Sequence, residues 1–225
     1  MRDKIILGEN CEYSSDSSIT NLNNNIAVVG GSGSGKTRSI VEPILLETKN
    51  ASLIVVLTKR RLFKKYSELF RKRKYEVLDL NYADPVESGA SFDHLAYIAS
   101  YADINFVAKS IVKADPRKDS STADPYWDEA SISLLSAEMA YAMGANENAT
   151  FADVLDMHSH LRIEESCGSI RTSFDAQFDA LEETDPDCYA VSCWKSFCNL
   201  PIKTAGRIYS TLNTTIDTIF SPEIK

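Results

Sequence analysis

Residues Gly30–Thr37 read "GGSGSGKT", with the apolar run "NIAVV" before them and "RSIVEPILLE" after. The spacing is G-x-x-x-x-G-K-[ST]. In such a loop successive backbone N–H groups wrap phosphate oxygens, the lysine reaches the outer phosphates and the hydroxyl residue binds Mg²⁺. Gly30, Gly31, Ser32, Gly33, Ser34 and Gly35 are therefore the expected phosphate lining. Lys36 is the neutralising cation and Thr37 the Mg²⁺ ligand, and these two are the catalytic candidates. Ile26–Val29 reads as a buried strand, the glycines permit the positive φ angles of a tight cradle, and Gly35 onward reads as a helix whose N-terminal dipole favours an anion. Strand, loop and helix together predict an ATP–Mg site. Arg38, next to the loop, is a further candidate for nucleotide contact, although an exposed charge on the first helical turn explains it equally.

Working outward, the first 80 residues alternate as an α/β chain does. Lys4–Leu7 reads as a strand, the run 26–29 as another, and "ASLIVVL" and "YEVLDL" as two more, with helices between them. Strands separated by helices imply right-handed crossovers and a parallel sheet, with the phosphate loop at the C-terminal edge of its strand, where open α/β sheets bind ligands. From about His94 the pattern becomes helical with no convincing strand. Asp124-Pro125 reads as a helix start, followed by Ile132, Leu135, Met139 and Met143 on one face. Thr150-x-x-Asp153 opens another helix, and Ala205, Ile208, Tyr209, Leu212, Ile216 and Ile219 mark a longer amphipathic one. The expected organisation is a nucleotide-binding part over 1–93, an all-α domain over 94–200, and a helix over 201–225 returning to the nucleotide-binding part.

The chain has 225 residues and a net charge of −8, which argues against a protein that grips nucleic acid over its whole surface. The average conceals Lys59–Lys74, "KRRLFKKYSELFRKRK", with nine basic residues and one acid. Leu62, Phe63, Tyr66, Leu69 and Phe70 recur at helical spacing, so the bases point away from an apolar face. That arrangement fits a solvated surface helix or a patch for DNA phosphates or anionic lipid headgroups; Lys64, Lys65, Arg71 and Lys72 are the nucleic-acid candidates. No apolar run is long enough to span a bilayer, and the chain reads as a soluble cytoplasmic one. Five cysteines without C-x-x-C spacing predict free thiols. His158 and His160 diverge on a helix and form no metal pair. Tyr126 and Trp127, just inside a helix start, are read as core rather than as a stacking platform for bases.

A hydrolysing P-loop enzyme needs an acid at the tip of a buried strand to hold Mg²⁺ and orient water. None is evident: "ASLIVVL" runs into Thr58-Lys59, Asp79 lies inside its strand, and Glu42 reads as solvent-facing. Nucleotide binding is thus a stronger expectation than turnover.

The order of motifs, "NNNIAVVGGSGSGKTRSIVEP", "SLIVVLTK", "YEVLDLN", "LAYI", "DPYWDEASISLL", "KTAGRIYSTL" and "FSPEI", resembles the type IV secretion coupling proteins of the TraG/TraD-like kind. The resemblance covers nearly the whole chain and implies a RecA-like P-loop NTPase sheet, here partial, with an inserted or appended all-α domain that recognises substrate. It also implies a membrane-anchored homo-hexameric ATPase at the cytoplasmic side of the membrane. Such a machine links ATP hydrolysis to delivery of DNA and its relaxase or relaxosome proteins to the secretion channel. Three departures stand out. Leu57-Thr58-Lys59 replaces an Asp-x-Lys pattern, and Asp93-His94 replaces Asn-Pro. The chain also ends before the family's acidic strand and carries no membrane segment, as the front half of such a motor would. A small P-loop kinase and a non-enzymatic fragment that binds relaxosome proteins are the rival readings.

Overall fold

Lys4–Gly8 (β1) pairs antiparallel with Cys11–Ser14 (β2), opposing Ile5 to Tyr13 and Ile6 to Glu12. Asn10, at φ 60°, closes the turn, a conformation asparagine tolerates better than most residues. The computed structural model describes residues 3–114, 125–166 and 169–220. They fall in two compact units, Met1–Val77 and Leu78–Lys225.

In the first unit the hairpin is followed by Ser17–Thr20 (α1), the glycine loop, a π-helical turn over Thr37–Val41, Glu42–Glu47 (α2) and Arg61–Lys72 (α3). Asp3 fastens the end of α2 to the hairpin: its carboxylate accepts from the amides of Lys49 and Asn50 at 2.9 to 3.2 Å. Burial alone would raise its pKa, but these amide donors outweigh it and hold the carboxyl below the usual range. Among the described residues the runs 26–29, 52–57 and 75–80 carry no assigned strand pairing. Val29, Ile54 and Val56 are 96%, 98% and 92% exposed. A parallel sheet would cover such side chains. Over 75–80 exposure alternates residue by residue, the period of an extended segment.

The second unit is helical: Tyr101–Lys113 (α4), Pro125–Ala145 (α5), Phe151–His160 (α6), Asp175–Thr184 (α7), Tyr189–Cys198 (α8) and Ile202–Ile219 (α9). A small antiparallel hairpin, Ile163–Ser166 (β3) with Ser169–Thr172 (β4), interrupts them. It corrects the expectation of a strandless second half; with isoleucines only at 163 and 170 it offers too few apolar positions for a period-two signal. α5 is central. Ile132, Leu135 and Met139 are buried as their spacing predicts, but so are Ser131, Leu134, Ser136, Ala137 and Glu138, so the helix is enclosed on all sides rather than along one stripe. α4, α8 and α9 pack on it, α9 through Ala205, Ile208, Leu212 and Ile216. Full burial of a side chain such as Leu134 or Leu135 is worth about 1.5–3 kcal/mol.

Local chemistry starts the helices. Ser100 caps α4 by accepting from the Asp103 amide at 3.3 Å. Thr150 and Asp153 form the expected capping box at α6. The expected cap of α5, Asp124, lies outside the described residues. The unit boundary precedes the residue 93 expected from sequence because segments before it are built into the second unit. Asp93 accepts from the Phe151 amide at 2.9 Å, and Leu95 is buried in the helical core.

Candidate functional site

Two glycines turn the loop: Gly33 has φ 78° and Gly35 φ 85°, backbone that a side chain would strain. A Cβ on Gly30 would sit 2.6 Å from Ser34 Oγ, whereas Gly31 and Gly33 face open space. The loop is thus tight at its base and open above. Ser34 N donates to Gly31 O at 3.3 Å and Ser39 N to Gly35 O at 2.8 Å, which winds the loop directly into the helical run. Lys36 Nζ folds back and donates to the carbonyls of Gly30 at 2.5 Å and Gly31 at 2.7 Å. The residues predicted as phosphate lining, Gly30 to Gly35, form one turn onto whose first two carbonyls Lys36 folds, and Thr37 and Arg38 are exposed on the first turn beyond it.

That first turn is wide. The Glu42 amide donates to the Thr37 carbonyl, an i→i+5 bond, and π turns of this kind occur disproportionately at functional sites. Glu42 departs from expectation. Read from sequence as solvent-facing, it is only 9% exposed. Lys65 Nζ donates to its Oε2 at 2.5 Å, and the Tyr66 hydroxyl donates to the same oxygen. These two donors, with the Lys65 and Arg61 charges, hold the carboxyl below the usual glutamate range against the opposing effect of burial. The sequence offered no signal, because the partners lie 23 and 24 residues away on another helix.

On α3 the predicted amphipathic face is present: Tyr66 is buried, while Leu62, Phe63, Leu69 and Phe70 are half-buried. Lys64, Lys65, Arg71 and Lys72 are all exposed on the other side. They are not equivalent. Lys65 is bound to Glu42, and Arg71 pairs with Glu68 at 2.7 Å. Lys64 and Lys72 enter no ion pair among the described residues.

In the second unit the sequence reading missed a buried pair. Glu138 on α5 and His158 on α6 are 0% and 2% exposed, and His158 Nδ1 lies 2.9 Å from both carboxylate oxygens. Burial raises the Glu138 pKa more than the histidine lowers it. His158 Nε2 is buried with no partner. The available signal was Glu138 itself, a lone acid between Ala137 and Met139 in an apolar run.

Asp79 contributes its backbone carbonyl to a loop, accepting from Gly89 N at 3.0 Å, Ala90 N at 3.1 Å and Ser88 Oγ at 3.1 Å. Tyr126 and Trp127, expected in the core, are 47% and 37% exposed, because α5 presents them at its first turn, ahead of the enclosed stretch. Cys11, Cys188, Cys193 and Cys198 are free thiols as expected, and Cys167 lies outside the described residues. Burial, with Asp175 and Asp179 nearby, pushes the Cys198 thiol up to about 12, far from a reactive thiolate. His160 is exposed beside Asp156, apart from His158. The described residues contain no cluster of metal-ligating side chains and no helix long and apolar enough to cross a membrane.

A family model described as type IV secretory system conjugative DNA transfer matches residues 4–225. No curated protein and no solved structure matches the chain.

Proposed function

The chain belongs to the type IV secretory system conjugative DNA transfer family, and from that premise we propose that its first unit binds ATP with Mg²⁺ to drive the transfer. Gly30 to Gly35 supply the phosphate-facing amides, Lys36 neutralises the outer phosphates, and Thr37 ligates Mg²⁺. Arg38 stands at the rim, available to nucleotide. The observation that carries this reading is the loop's conformation: two glycines at positive φ, open space above Gly31 and Gly33, and a lysine ammonium folded back onto the loop carbonyls. A triphosphate offers Lys36 better acceptors than the neutral carbonyls of Gly30 and Gly31, since its oxygens carry negative charge and add an ion–ion attraction to the bond. Bound Mg²⁺ would supply charge neutralisation at the bridging phosphate oxygens.

The exposed apolar runs 26–29 and 52–57 and the alternating segment 75–80 support a RecA-like parallel sheet completed in the assembled machine. There the protein is a hexameric ATPase at the cytoplasmic side of the membrane. It passes DNA and relaxosome proteins to the secretion channel, with the helical unit recognising the substrate and the cations of α3 meeting DNA phosphates.

Calorimetric titration and thermal melts with Mg·ATP test the nucleotide site. At 100 times Kd the ligand should add about 2.7 kcal/mol of stability, and Lys36→Ala and Thr37→Ala should remove that gain while leaving the ligand-free melt unchanged. Equal melts of the wild-type chain with and without Mg·ATP would overturn the reading.

A further inference from the structure

Glu42 occupies a junction that nucleotide binding alone does not use. Its amide is bonded to the Thr37 carbonyl across the wide π turn, and its carboxylate holds Lys65 and Tyr66 of the basic helix. One residue therefore joins the Mg²⁺-binding position to a cation of the candidate DNA surface, all within the first unit. Lys65 also lies 4.9 Å from the centre of the Tyr66 ring, so its ammonium, although half exposed, is paired with a carboxylate and an aromatic face.

We propose that Glu42 is a positioning residue that couples the nucleotide loop to DNA binding, keeping the charge of Lys65 in an ion pair until Mg·ATP reorganises the turn after Thr37. The inference rests on the nucleotide reading above. A π turn differs from an α turn by one residue, so closing it to α geometry rotates the following residues by roughly 100° relative to Thr37. That rotation carries the Glu42 carboxylate off Lys65. The released ammonium then adds one phosphate contact. Because coupling is reciprocal, DNA tightens nucleotide binding by the same factor.

The test uses the whole chain, a labelled single-stranded DNA oligonucleotide and a non-hydrolysable Mg·ATP analogue, with DNA affinity measured across a salt series. In the wild-type chain the analogue should tighten DNA binding about 5-fold or more, the lower end of ordinary coupling. It should also steepen the salt slope by about 0.7, one single-strand phosphate contact. Glu42→Gln should bind nucleotide more tightly than the wild-type chain by the same factor, bind DNA at the loaded wild-type level with or without nucleotide, and show the steeper slope throughout. Tyr66→Phe keeps the ring and removes one of the two donors; it should give an intermediate coupling factor, so the inference stays testable if Glu42→Gln folds poorly. A Glu42→Gln chain that retains the wild-type response would overturn the coupling, as would a wild-type chain that binds the analogue without any change in DNA affinity. A chain that fails to bind the analogue at all would instead overturn the nucleotide reading, and the coupling with it.

Discussion

Residues 1–77 sum to +6 and residues 78–225 to −14, so the chain's −8 is the difference of two oppositely charged units. They differ as much in how they treat apolar side chains. The second unit wraps α5 until eight of its residues are buried, including a glutamate, whereas the first leaves Val29, Ile54 and Val56 in solvent. In one unit the sequence's hydrophobicity is spent on an internal core. In the other it stays available on segments whose pattern is that of strands. The contrast teaches that an apolar run marks burial only where partners exist to bury it.

The largest expected break in that comparison lies at the Glu138–His158 pair. His158→Ala strands a buried carboxylate and should cost about 3–5 kcal/mol, lowering the melting temperature by on the order of 10 °C. The double replacement Glu138→Met with His158→Leu should be far milder, because similar volume without charge removes the desolvation cost. Equal losses in single and double variants would mean that shape, not charge, holds the site. The pair also sets a pH dependence. Glu138 is raised in the folded unit, which therefore binds more protons than the unfolded chain between glutamate's ordinary pKa and the raised folded one. Across that window its stability should fall as pH rises. Glu138→Gln should remove this slope in denaturant titrations.

A smaller effect compares the units directly. Leu135→Ala, at a position with 0% exposure, should cost about 2–5 kcal/mol. Val56→Ala, in the exposed run of the first unit, should change stability by about 0.5 kcal/mol or less. Comparable losses would show Val56 to be buried in solution, which would sharpen the case for a completed sheet and erase the contrast drawn here.

How much of this was legible in the sequence follows the range of the interactions. The loop, α3 and the Thr150 box are local patterns, written within one turn or one short motif. The apolar runs were visible too, but their exposure was not, because burial is a property of partners. Glu42 and Glu138 were missed for the same reason: their partners lie on other helices, 20 or more residues away. Tyr126 and Trp127 were read as core from residue type and a place just inside a helix start, whereas their exposure depends on where α5 enters its packing.

The smallest effect bears on that local legibility. Thr150 accepts from the Asp153 amide, while Asp153 Oδ2 takes the Thr150 amide at 2.7 Å and its hydroxyl at 2.8 Å. The Thr150 donors hold the Asp153 carboxyl below its usual range against burial. A depressed carboxylate lends stability above its ordinary pKa and loses it as pH falls through the folded value. Thr150→Ala should therefore cost about 1 kcal/mol near neutral pH, and the deficit should shrink on acidification as the wild-type chain loses the hydroxyl's bond to the Asp153 carboxylate. A deficit unchanged down to pH 2 would assign the cap's worth to the threonine's bond to the amide alone. Placed beside Leu135→Ala, the result ranks the two kinds of information in the second unit: a motif readable in four residues contributes a fraction of what one enclosed leucine does, although the leucine was legible only as one position of an apolar face.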